Sequence, residues 1–97
     1  MARLEILNPV AKTVEHSVAP ARRPPDLDGL PIGLYWNMKA GGDAALDRTE
    51  ALLRARFPKA TFRRYTGSVG WLMRHCTAED ADRIASEVQV VVGTTAD

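Results

Sequence analysis

Five of the six prolines, Pro9, Pro20, Pro24, Pro25 and Pro31, fall within the first 31 of 97 residues. Proline fixes φ and lacks the N–H that a helix interior or inner strand requires. Residues 1–31 therefore read as an extended N-terminal arm and linker. Within it, Leu4-Glu5-Ile6-Leu7 is suited to adding a short strand to another surface, and Ala19 to Asp28, around Arg22-Arg23-Pro24-Pro25, reads as extended linker. Any packed unit must be built from residues 32–97, which leaves room for one small domain at most.

Composition narrows the class. With 45% hydrophobic and 26% charged residues the chain is an ordinary globule. Thirteen Lys and Arg against twelve Asp and Glu leave a net charge of +1, too little for a field that would draw nucleic acid or an anionic membrane. Arg22-Arg23 and Arg63-Arg64 are short basic pairs, read as solvated faces. The single cysteine, Cys76, excludes an internal disulfide framework and fits a reducing compartment. The start, Met1-Ala2-Arg3-Leu4-Glu5, lacks the apolar stretch of a signal peptide, and no run of apolar residues is long enough to span a bilayer. The expected location is the cytoplasm.

The hydropathy pattern then predicts five elements. Ile32-Gly33-Leu34-Tyr35-Trp36-Asn37 reads as a buried strand opening into the glycine-containing loop Met38 to Gly42. Asp43 to Phe57 reads as a helix, with Leu46, Thr49, Leu53 and Phe57 on one face, Asp43 or Gly42 as cap and Pro58 as stop. Ala60 to Tyr65 alternates as a less buried second strand. Thr77 is placed to cap a second helix with Ala81, Ile84, Ala85 and Val88 on its apolar face. Val88 to Gly93 reads as a third strand buried on both faces.

Strand, helix, strand, helix, strand predicts an α/β fold with parallel strands, right-handed crossovers and strand order 2-1-3, a partial Rossmann-like or flavodoxin-like sheet of about three strands and two helices. Such a sheet needs cover on both faces, and an apolar last strand with no helix after it leaves the fold half finished.

In open α/β sheets, ligands lie beyond the carboxyl ends of the strands. The loop Asn37-Met38-Lys39-Ala40-Gly41-Gly42 precedes a helix whose unbonded N–H groups are suited to a carboxylate or phosphate, with Lys39 adding charge. It matches neither the dinucleotide G-x-G-x-x-G nor the phosphate-loop pattern, so a glycine-eased turn is the alternative. Thr94, Thr95 and Asp97, after the third strand, either cap a further helix or contact a ligand. His75-Cys76 has no orienting third group and reads as a half-buried cysteine before a helix cap. His16 has no partner at metal-ligand spacing, and no metal or cofactor is expected. Trp71, Leu72 and Met73 read either as cover for the crevice or a subunit contact, or as a core plug.

Several stretches together resemble the amino-terminal part of the UGSC family. They are Leu4-Glu5-Ile6-Leu7-Asn8-Pro9, Ile32-Gly33-Leu34 with Asn37 and Lys39, Leu46-Asp47-Arg48, and Val91-Val92-Gly93-Thr94-Thr95-Ala96-Asp97. In that family the Gly-Thr-Thr-Ala-Asp run is followed by selenocysteine or cysteine and then Gly-Ser-Cys. The resemblance implies a selenol or thiol reactive group, supplied to this chain either by a second polypeptide carrying the Cys- or Sec-Gly-Ser-Cys segment or by a UGA codon meant for selenocysteine. On that reading Asn37, Lys39, Gly41 and Gly42 bind an anionic group of a small-molecule substrate, and Thr94, Thr95 and Asp97 border the nucleophile. The chain is then the amino-terminal portion of a thiol- or selenol-dependent enzyme, inactive alone. A noncatalytic subunit completing a partner's sheet is the rival expectation, and an independent ligand-binding domain the third.

Overall fold

The computed structural model describes residues 3–71 and 74–95. Its elements run β1 (Pro31–Trp36), α1 (Gly42–Arg56), β2 (Thr61–Tyr65), α2 (Ala78–Glu87) and β3 (Val90–Thr94). Residues 3–24 form neither helix nor strand and are almost wholly exposed. The three strands make one parallel sheet in the order β2-β1-β3, as the alternation of elements predicts. β1 holds the centre because its sequence is the most continuously apolar. Ile32 pairs with Phe62 on one side and Val90 on the other, and Leu34 pairs with Arg64 and Val92.

Alternation along the strands builds two cores of unequal size. On the α1 face, Ile32, Leu34, Leu46 and Ala60 are buried, with Trp36, Phe57, Phe62, Val90 and Val92 packed around them. On the α2 face, Tyr65, Ile84 and Val88 are buried against Tyr35. Gly33 lies under this second cluster, where a Cβ would stand 3.0 Å from the Tyr65 ring and 3.1 Å from a Val88 methyl. A glycine at the middle of β1 is thus what lets the tyrosine and valine close over the sheet.

Two expectations need correction. Of the apolar stripe expected on α2, only Ile84 and Val88 are buried, while Ala81 and Ala85 are exposed. The inward row is instead Asp80, Ile84 and Glu87, because the acidic residues find partners on the sheet side. The third strand is not buried on both faces either: Val90 and Val92 are half-buried and Val91 is 50% exposed. β3 is an edge strand, and no element among the described residues lies beyond it.

Local chemistry sets the helix ends. Thr77 accepts from the Asp80 amide at 3.0 Å and its own amide donates to Asp80 Oδ2 at 3.0 Å, a complete capping box. α1 is capped differently from the expectation of Asp43 or Gly42. Gly41, at φ 89°, is the cap residue, with no side-chain cap bond. The chain must turn through left-handed backbone there to enter the helix from β1, a conformation glycine adopts without strain. At the other end, the Phe57 amide bonds to the Leu53 carbonyl before Pro58.

Candidate functional site

The loop after β1 and the end of β3 meet at the carboxyl edge of the sheet, and Asn37 joins them. Its amide donates to the Thr94 carbonyl at 2.9 Å. Its side-chain Oδ1 accepts from the amides of Lys39 at 3.2 Å and Thr95 at 3.1 Å, and its Nδ2 donates to the Thr95 carbonyl. Parallel register brings this about, because β1 pairs with β3 up to Trp36 and Thr94, so the next residue of each strand emerges side by side.

The same contacts seat the start of α1. Thr94 Oγ1 donates to the Gly42 carbonyl at 2.9 Å, and Trp36 Nε1 donates to the Lys39 carbonyl at 2.8 Å. Gly42 is buried, and a Cβ on it would stand 2.7 Å from the Trp36 indole and 3.1 Å from Thr94 Oγ1. Asn37, Lys39, Gly41, Gly42, Thr94 and Thr95 therefore form one cluster. Asp97 lies outside the described residues.

Hydrogen bonding divides this cluster into two groups. Asn37, Thr94 and the Gly42 amide, which donates to the Lys39 carbonyl at 3.1 Å, are engaged in internal bonds. Ala45 bonds back to the Gly41 carbonyl as the helix begins. Between them, the Asp43 and Ala44 amides meet no acceptor among the described residues. They are the first-turn N–H groups at the positive end of a 15-residue helix.

Next to this helix start, a cleft of about 260 Å³ opens over the ends of β1 and β2, lined by Leu34, Trp36, Asp43, Arg64, Tyr65 and Thr66. Arg64 pairs there with Asp47 at 2.8 Å and Glu50 at 3.6 Å. Arg63 and Arg64 are both exposed, as expected of a solvated pair, and the pairing of Arg64 with the acids of α1 is what that expectation did not include. The signal was present in the alternation of β2, since Arg64 shares a face with Phe62 and so points to the α1 side, toward the acids of the helix.

The opposite face carries a second polar group. The Asp80 carboxylate accepts from the Ser68 hydroxyl at 2.7 Å, the Ser68 amide at 3.1 Å and the Thr77 amide, with Arg83 at 3.6 Å. These donors, the Thr77 amide first and the Ser68 hydroxyl next, hold its pKa well below the usual carboxylate range. Burial, then the neighbouring Cys76, pushes the Tyr35 hydroxyl up. Burial also raises Tyr65, whose hydroxyl donates to Glu87 at 2.6 Å and thereby lowers that carboxylate.

Cys76 is exposed, not half-buried, and follows His75, whose backbone pairs with Val69. Trp71 is 89% exposed, which removes the core-plug alternative for it, and Leu72 and Met73 lie outside the described residues. Among the described residues no group of His, Cys, Asp and Glu is arranged to hold a metal ion, and no helix is long and apolar enough to cross a membrane.

No curated protein and no solved structure matches the chain. The cluster that joins the two strand ends nevertheless lies on the stretches of sequence that carried the family resemblance. Over residues 5–97 the chain matches the model of the UGSC family, and the protein belongs to that family.

Proposed function

We propose that this chain supplies the anion-binding and bordering part of a thiol- or selenol-dependent active site. The reactive Cys- or Sec-Gly-Ser-Cys segment is delivered beside it, by a second chain or by selenocysteine readthrough. The observation that carries this reading is the Asn37 bridge, which sets the first turn of α1 alongside Thr94 and Thr95. A thiol or selenol entering next to Thr95 meets the positive end of that helix, which favours the thiolate or selenolate over its protonated form. The Asp43 and Ala44 amides, with Lys39 on the same loop, are suited to the anionic group of a small substrate. Gly41 and Gly42 allow the backbone to make the turn that presents those amides. Either covalent catalysis or two-electron redox cycling is open to such a group.

The test uses the chain co-purified with a polypeptide bearing the Cys-Gly-Ser-Cys segment. The rate of thiol alkylation by iodoacetamide is followed against pH. The assembled pair should titrate below the ordinary thiol value of about 8.5. Lys39→Ala should raise that apparent pKa and impair turnover while leaving co-purification intact. An assembled Lys39→Ala complex with an unshifted thiol and full turnover would favour the noncatalytic sheet-completing subunit instead.

A further inference from the structure

β3 pairs with β1 along one edge and has no neighbour on the other among the described residues. At its start the Gln89 amide donates to the Pro31 carbonyl. At its other end the Thr94 carbonyl accepts from the Asn37 amide, so the alternation of a parallel ladder turns the backbone groups of Val90, Val92 and Thr94 toward β1 and those of Val91 and Gly93 outward. Beside this edge runs a groove of about 940 Å³, with Ala85, Val88 and Val91 on one side and Arg23, Pro24 and Pro25 on the other. The arm thus leaves the domain at the β3 edge.

Beyond that exit the arm presents apolar side chains to solvent: Leu4 is 83% exposed, Ile6 82%, Leu7 92%, Val10 75%, Val14 71% and Val18 82%. The chain exposes 8200 Å² in all, roughly 2,700 Å² more than a folded monomer of its mass. That excess, contributed by each of two copies, is in the range that obligate dimers bury.

We propose that two copies of this chain exchange arms. Leu4 to Leu7 of each adds a strand to the free β3 edge of the other, and the following apolar residues fill the groove. The two surfaces, a strand-forming apolar segment and a bare strand edge, belong to one chain and begin at the same place, which suits a self-complementary two-fold contact. Folding back onto the parent domain is opposed by Pro20, Pro24 and Pro25, which keep the linker extended. Residues 3–20 can span about 60 Å when extended, enough to cross a second domain.

The experiment is sedimentation velocity on the full chain, alone, across a micromolar dilution series. The expected species has twice the mass of 10.6 kDa. Ile6→Asp together with Leu7→Asp should weaken the dimer by about a hundredfold or more. Both positions lie outside the helices and strands of the single chain, so the helical part of the circular dichroism spectrum should persist while the contribution of the added strands is lost. In a Cys76→Ser background, mixing Leu7→Cys chains with Val91→Cys chains under mild oxidation should give a disulfide-linked pair. A native chain that stays monomeric, a dimer indifferent to the two aspartates, or a mixture that does not cross-link would each overturn the proposal. None of these outcomes bears on the thiol titration, which reads a different edge of the molecule.

Discussion

At the residue scale, one carboxylate and one amide hold the loops in place. Asp80 is only 5% exposed, yet it joins the start of α2 to Ser68 across the loop that precedes the helix. Its folded pKa lies below the unfolded value of 3.8, so on acidification the unfolded chain binds the proton first. The stability this supplies is complete above that value and is lost as pH falls below it. Glu87, lowered mainly by the Tyr65 hydroxyl, acts in the same direction. Urea midpoints should therefore drop between about pH 5 and pH 3, and Asp80→Asn should lower the neutral midpoint while flattening much of that drop. An unchanged acid slope in the variant would place the titrating group elsewhere. Thr77 followed by Asp80 is a capping signal readable from spacing, but the Ser68 contact is not, because the turn that brings it near is set by tertiary packing.

At the element scale, the burial of α1 gives a paired prediction. Leu46 is fully buried between β1 and the helix, whereas Leu52 on the same helix is 54% exposed. Leu46→Ala should cost about 2–5 kcal/mol, as lost transfer energy plus the cavity left behind, and Leu52→Ala should stay within about 0.5 kcal/mol. Denaturant unfolding of both variants checks the pair. The face that Leu46 shares with Thr49, Leu53 and Phe57 was legible because a 3.6-residue period records one-sided burial directly. The strand order was legible for a similar reason: parallel crossovers between alternating elements leave few arrangements. Ala81 and Ala85 misled because alanine is at home on an exposed helix face as well as a buried one, and polar partners for Asp80 and Glu87 turned the helix away from them. The Asn37 bridge to Thr95 spans 58 residues of sequence, so no local pattern could have indicated it. What could be read was that both strands ended in polar residues at one sheet edge, which placed the cluster without revealing that Asn37 is spent on holding it together.

At the scale of the whole molecule, the balance of charge and apolar surface decides what kind of association this chain can have. A net charge of +1 leaves little like-charge repulsion between two copies and little long-range attraction for an oppositely charged partner. The surfaces meeting in the arm exchange are aliphatic: Leu4, Ile6 and Leu7 on the arm, Ala85, Val88 and Val91 at the groove. Screening acts on exposed charges and leaves apolar burial untouched, while salts excluded from protein surfaces strengthen that burial. Dimerisation should therefore hold steady as sodium chloride rises from about 0.05 M to about 1 M, over which the Debye length contracts several-fold, and should tighten in sodium sulfate. The Arg22-Arg23 pair beside the groove sets up the competing expectation, since a contact dominated by those guanidinium groups would loosen as salt increased. Dissociation constants from sedimentation equilibrium in the two salts separate these cases, and a constant that weakens tenfold in sodium chloride would assign the interface to charge.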